Sequence, residues 1–172
     1  ADSTQGYLRS GDLNARLYSN KPLEEIANRL VECGNQLTKQ FKAAHFDENA
    51  WRRYLPNMGL YVKAGKQNPL FQLMHFRGYD ADSLYVELST NRDKGLNGHL
   101  LLLAFRTGNL LLDKTMVRIY QDSSGVRLES NIENTKKSNP HRFKANVSGA
   151  VLTDGFSVRA LFKDQQNVEG LN

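Results

Sequence analysis

Residues 98–113 contain a run of leucines that strongly restricts what this chain can fold into. The segment is GHLLLLAFRTGNLLLD, with seven leucines in sixteen residues. Successive side chains of a strand point to opposite faces, so a strand over 100–105 would be apolar on both faces. An antiparallel strand of this kind must be covered on both faces. We expect a helix to cover one face, and a second sheet layer, a curled sheet or a partner to cover the other.

The helix expected to cover this strand spans about residues 22–44. Pro22 suits a first helical turn, and apolar residues then recur at steps of three and four. They form a single stripe: Leu23, Ile26, Ala27, Leu30, Gly34, Leu37, Phe41 and Ala44. A second, short helix is expected from Asp47 to Leu55, where Pro56 ends it.

After Pro56 the pattern changes to short runs rich in Val, Tyr, Phe, Ile and Leu, separated by Gly, Asn, Asp and Ser clusters. These runs predict strands near 58–63, 70–77, 83–89, 99–106, 109–121, 125–133, 141–148 and 156–162. The joints are short, which is typical of hairpins rather than parallel crossovers. The predicted fold class is α+β, with a long N-terminal amphipathic helix packed on a curved, mostly antiparallel sheet of about seven or eight strands.

The length of 172 residues fits a single domain. Within it we distinguish a lead-in segment over 1–20, a helical part over 21–55, the antiparallel sheet over 56–163 and a tail over 164–172. The longest apolar run is far shorter than the roughly 20 residues that cross a bilayer, so no membrane span is expected. The small-residue start ADSTQG, without Met, favours an exported periplasmic or secreted chain, and a cytoplasmic protein is the alternative.

Positive charge is concentrated in the second half of the chain. The net charge is +5, and residues 114–163 hold nine basic and four acidic residues. In four successive predicted strands the basic residues alternate with apolar ones, which places them on one sheet face. The predicted partner-binding residues on this face and in its flanking loop are Arg118, Tyr120, Arg127, Lys136, Lys137, Arg142, Lys144 and Arg159. The alternative is a solvated face on which Glu129 pairs with a neighbouring arginine.

Patterns typical of catalysis are weak. The four histidines are far apart in sequence, and none has cysteines or carboxylates at metal-ligand spacing. The single cysteine, Cys33, falls among apolar helix positions and is expected in the core. A phosphate-binding glycine loop and a nucleophile elbow are both missing from the sequence. We therefore predict no catalytic, cofactor-binding or metal-binding residues.

The function expected from these patterns is a non-catalytic binding or assembly module. It would engage a macromolecular partner, with an anionic one favoured, through the basic sheet face, the N-terminal helix or both. A protein partner or a homo-oligomer is the first expectation, and an anionic polymer such as a polysaccharide is an alternative. A domain that binds RNA or single-stranded DNA through the same face is the second reading. An enzyme with a dispersed active site is the third.

Overall fold

A computed structural model describes residues 3–122, 125–135, 142–153 and 155–164 of the chain. In these residues it has ten strands and three helices, and a mixed α+β class is confirmed. The helices are α1 (Leu23–Lys42), α2 (Glu48–Arg52) and α3 (Pro69–Phe76). The strands are β1 (Thr4–Ser10), β2 (Leu13–Ser19), β3 (Met58–Ala64), β4 (Tyr79–Asp80), β5 (Ser83–Asn91), β6 (Gly95–Thr107), β7 (Leu110–Asp122), β8 (Gly125–Asn134), β9 (Phe143–Leu152) and β10 (Gly155–Asp164).

All strands belong to one antiparallel sheet. Their order is β1-β2-β3-β5-β6-β7-β8-β9-β10, and the two-residue strand β4 pairs with the end of β6. Apart from β4, each strand pairs with the next strand in the chain, as in a meander. The links from β2 to β3 and from β3 to β5 carry the helices. The expected count of seven or eight strands was too low, because the described residues form ten.

The description of a long N-terminal helix was wrong, because a complete hairpin precedes α1. Strands β1 and β2 pair in the segment that we treated as a lead-in, and β2 continues the sheet to β3. Most of β1 is solvent-exposed and β2 buries only Leu13 and Ser19, so the apolar period that marks a strand is weak here. Gly11 makes the turn between them with a φ of 60°, which glycine adopts without steric cost.

The strand predicted over 70–77 is instead helix α3. The side chain of Asn68 accepts a hydrogen bond from the backbone N–H of Phe71 at 3.0 Å, and Pro69 occupies the first turn. An asparagine cap followed by proline is a strong helix start. The apolar content of this segment is compatible with a strand or a helix. The Asn68–Pro69 pair is the feature that distinguishes the two, because it is typical of a helix start.

The core consists of two clusters on the same face of the sheet. Near one end of the strands, Cys33, Phe46, Trp51 and Leu55 pack with strand residues Leu96, Val126 and Val151. Near the other end, Phe71 of α3 packs with Leu13, Ala64 and Ala81 and with partly buried strand residues that include Val62, Leu84 and Leu102. Cys33 is buried as expected. The helices therefore define a helix-covered face, and the opposite face of the sheet remains available to solvent.

The register shows how the leucine strand is accommodated. Leu100 lies opposite Val86 and Val117 on the helix-covered face, whereas Leu101 lies opposite Tyr85 and Met116 on the other face. The described residues form a single sheet, so no second sheet layer covers Leu101. Its side chain is half-buried among the longer side chains of the neighbouring strands. This leaves an apolar patch on an otherwise polar face.

Candidate binding groove on the polar face of the sheet

The described basic residues of the later strands share one face, as the alternation predicted. Residues directly opposite in antiparallel strands point to the same side. The register gives the pairs Arg118–Glu129, Tyr120–Arg127, Glu133–Lys144 and Ser148–Arg159. All of these residues lie on the face opposite the helices, which we call the polar face. Arg142 comes just before β9, and Lys136 and Lys137 lie outside the described residues. Whether these residues bind a partner stays a prediction.

A continuous row of side chains crosses the polar face, with one residue from each of nine strands. Its members are Tyr7, Arg16, Tyr61, Glu87, His99, Arg118, Glu129, Ser148 and Arg159. All of them are polar or aromatic. The arginines and glutamates of the row alternate in sign, in the order Arg16, Glu87, Arg118, Glu129 and Arg159. We call this set the polar row.

A depression on the polar face follows this row. It has a volume of about 830 Å³, and its lining runs from Tyr85 on β5 to Arg159 and Leu161 on β10. A depression of about 320 Å³ shares His99 and Arg118 with it. A third, of about 470 Å³, continues from there to β2. We call these three depressions together the transverse groove. It crosses the eight strands from β2 to β10, and at about 4.8 Å between neighbouring strands its length is roughly 34 Å.

The floor of the transverse groove is apolar. Leu101, Met116 and Leu161 line the largest depression beside the polar row, and none of them is fully buried. Asn131 and Asn146 lie opposite each other between Met116 and Leu161 and add amide groups. The groove therefore offers a ligand apolar contact area next to arginines, carboxylates and amides.

Two arginines of the polar row are free to bind an anion. The guanidinium of Arg118 lies 4.9 Å from the ring centroid of Tyr120, and Arg159 is exposed. Within the described part of the chain, neither makes an ion pair with a carboxylate. Arg127 differs, because its Nε lies 2.8 Å from Asp122. Arg127 therefore has a carboxylate partner at the strand end, unlike Arg118 and Arg159.

Glu129 is engaged by a tyrosine. The hydroxyl of Tyr120 donates a hydrogen bond to Glu129 Oε1 at 3.0 Å. This bond and the negative charge of Glu129 raise the pKa of Tyr120, because ionising the phenol would place two negative charges side by side. The phenol therefore stays neutral, and one oxygen of Glu129 is occupied by this hydrogen bond.

On and beside the other half of the polar row lie residues that the sequence did not single out: Tyr61, Glu87 and His99 of the row, and Tyr85 next to it. Tyr85 packs edge-on to Tyr61 at 5.4 Å and stacks on His99 at 4.9 Å. Its hydroxyl donates to Glu87 at 2.7 Å, which raises the pKa of Tyr85. The alternation in β5 placed Tyr85 and Glu87 on one face, but only the strand register shows that this is the face of Arg118.

The described residues show no group of three or more histidine, cysteine, aspartate or glutamate side chains arranged to hold a metal ion. Over the same ranges, no helix combines the length and apolar character that crossing a membrane requires. Comparisons with protein-family models, curated proteins and solved structures gave no match to this chain.

Proposed function

We propose that this protein is a non-catalytic binding module, and that the transverse groove engages an extended, acidic segment of a partner protein. The observation that supports this most directly is the position of Arg118 and Arg159 beside the apolar floor. Both guanidinium groups lack a carboxylate partner in the described residues, and both line the same depression as Leu101 and Met116. A partner that supplies carboxylates and apolar side chains would satisfy both features.

The dimensions of the groove favour an elongated ligand. A peptide in extended conformation rises about 3.3 Å per residue, so the roughly 34 Å of the groove matches about ten residues. The groove crosses the strands of the sheet, and its largest section has a volume of about 830 Å³. A segment of a larger chain can lie in such a groove without being enclosed.

The spacing of the two arginines predicts a sequence pattern in the partner. Arg118 on β7 and Arg159 on β10 are three strands apart in the sheet. At about 4.8 Å per strand this is about 14 Å, the length of roughly four extended residues. Acidic residues four positions apart, with apolar residues between them, would therefore reach both guanidinium groups while covering the floor.

The distribution of charge favours a protein over a nucleic acid. A nucleic acid presents a phosphate at every step, and such a ligand needs a uniformly basic track. In the groove, Glu87 and Glu129 alternate with the arginines, so regularly spaced phosphates would meet carboxylates. The ring of Tyr120 already lies against Arg118 instead of offering a free stacking surface.

Selection from a displayed library of random peptides, followed by fluorescence anisotropy, tests this proposal. We expect the selected peptides to show the acidic spacing. We expect the double variant Arg118→Glu/Arg159→Glu to bind them at least 100-fold more weakly, because each lost charge-assisted hydrogen bond is worth about tenfold or more. The matched control is Lys39→Glu/Lys42→Glu, which reverses the same number of charges at the end of α1. It should bind normally.

Each alternative predicts a different result. Loss of binding in the α1 variant alone would assign the partner to the helix instead of the groove. Equal binding by the native chain and the Arg118→Glu/Arg159→Glu variant would contradict the proposal. A labelled single-stranded RNA that binds only when both arginines are present, together with a failure to select any peptide, would favour the nucleic-acid reading.

A further inference from the structure

Exposed apolar side chains lie where α3, β4 and the β6–β7 hairpin come together, at the end of the strands that carries the core cluster of Phe71. Phe76, the last residue of α3, is 91% exposed, and Leu73 one turn earlier is 61% exposed. Tyr79 lies opposite Thr107, which in turn lies opposite Leu110 in the β6–β7 hairpin. Tyr79 and Leu110 are also exposed. We call Leu73, Phe76, Tyr79 and Leu110 the apolar tip.

The tip is held outward by the way α3 packs. Phe71 on the opposite side of this helix is buried, and Leu70 and Met74 pack against the same core cluster. Since residues three apart share a helix face, Leu73 and Phe76 form a separate stripe. The buried anchor fixes the helix, so the tip does not turn inward without unpacking Phe71.

We propose that the apolar tip inserts into the surface of an anionic lipid bilayer. The proposal does not rest on the function assigned to the groove. A bilayer can accept a few protruding apolar side chains at its interface without a complementary surface. Aromatic residues such as Phe76 and Tyr79 suit this position, since ring faces are apolar and the tyrosine hydroxyl can remain in the headgroup layer.

The size of the tip favours lipid over a second protein. Stable protein interfaces bury about 800 Å² per partner. The four side chains of the tip expose roughly 400–450 Å² at their observed exposures, given that a large aromatic side chain contributes about 150–250 Å². The tip is formed by a helix end, a two-residue strand and a hairpin, whereas a specific protein partner needs a broad complementary surface.

One cation beside the tip, Arg77, favours an anionic membrane. Lys66 and Arg106 also lie near the tip, but they pair with carboxylates: Lys66 Nζ and Arg106 Nη2 lie 2.8 Å and 3.2 Å from Asp82, and Arg106 Nη1 lies 3.9 Å from Asp80. Arg77 directly follows Phe76 and is exposed, and among the described residues it makes no ion pair. A cation next to an inserting aromatic ring can bind lipid phosphate, and the net charge of +5 acts in the same direction.

Co-sedimentation of the full chain with unilamellar vesicles tests the inference. We expect binding to vesicles of phosphatidylcholine and phosphatidylglycerol that is roughly fivefold stronger than binding to phosphatidylcholine alone, as one well-placed cation would give. Phe76→Ser should weaken partitioning about ten- to a hundredfold, which corresponds to one buried aromatic side chain. Arg77→Ser should remove most of the preference for the anionic vesicles.

Phe156→Ser is the matched control. Phe156 is 76% exposed, but it lies on β10 at the end of the strands opposite the tip. This variant should bind vesicles like the native chain. The inference is overturned if the native chain does not sediment with vesicles, if Phe76→Ser binds as tightly as the native chain, or if both phenylalanine variants lose binding equally. It is also overturned if sizing shows a dimer that Phe76→Ser dissociates while vesicle binding is undetectable.

Discussion

A buried hydrogen-bond network joins α2 to the centre of the sheet, and removing one member should destabilise the whole fold. Gln121 Nε2 donates to Glu48 Oε1 at 2.9 Å, and Gln121 Oε1 accepts from the backbone N–H of Leu96 at 2.9 Å. Arg52 Nη1 donates to the same carboxylate oxygen at 2.9 Å. Glu48 and Gln121 are both buried. One side chain on β7 thus connects the short helix to β6.

The substitution Gln121→Ala removes both of these bonds. Losing a hydrogen bond to a charged group costs about 1.5–3 kcal/mol, and an unsatisfied buried N–H at Leu96 costs about 1–3 kcal/mol. Since water could enter the space and replace part of one bond, we expect a loss of about 3–5 kcal/mol. This is a large fraction of the roughly 5–15 kcal/mol that stabilises a typical domain.

Urea unfolding followed by the fluorescence of Trp51 measures this loss. Trp51 is the single tryptophan of the chain. It belongs to α2 and is buried in the core cluster of Cys33, Phe46 and Leu55, so its fluorescence reports on the region around Gln121. The control Gln72→Ala, at an exposed position of α3, should change stability by less than about 0.5 kcal/mol. A loss below about 1 kcal/mol for Gln121→Ala, with the m-value unchanged, would refute the reasoning.

Two further predictions concern ionisation. Glu129→Gln should lower the pKa of Tyr120 toward its ordinary value of about 10, because it removes the acceptor charge that raises it. Alkaline titration of tyrosine absorbance checks this, and an unchanged profile would contradict the assignment. Asp12 accepts hydrogen bonds from the Asn68 side chain at 2.7 Å and from a loop backbone N–H, which lower its pKa. Its stabilising effect is therefore present above its ordinary pKa of about 3.9 and is lost as pH falls through the lowered value. As the pH falls through the lowered pKa of Asp12, the difference in urea midpoint between the native chain and Asp12→Asn should therefore shrink toward zero.

Much of the fold could be predicted because its strongest signals are local. The stripe from Leu23 to Phe41 predicted α1 within a few residues of its observed bounds. Alternation in β7 to β10 predicted a common face for Arg118, Arg127 and Arg159, since side-chain direction in a strand depends only on sequence parity. The hairpin over 4–19 was missed because it buries few residues. The segment of α3 was predicted as a strand because its apolar content is typical of either structure, and Asn68 and Pro69 were assigned to a loop although they form the helix start.

The groove could be predicted only in part. Its composition depends on which residues lie opposite one another, and the register of distant strands is not written in any one segment. Alternation could not show that Glu87 and His99 follow Arg16 and Tyr61 in one row with Arg118. The excess of leucine did indicate that the second face of β6 would need a cover. It could not indicate that Leu101 would form the floor of a groove.

The most direct test of the central claim is a map of backbone amide chemical shifts in the labelled protein as a selected acidic peptide is added. We predict that the changed amides follow the polar row across the sheet, including Arg118, Ser148 and Arg159, while those of α1 and α3 stay unchanged. Changes confined to α1, or to the exposed edge strands β1 and β10, would contradict the assignment of the transverse groove as the binding site.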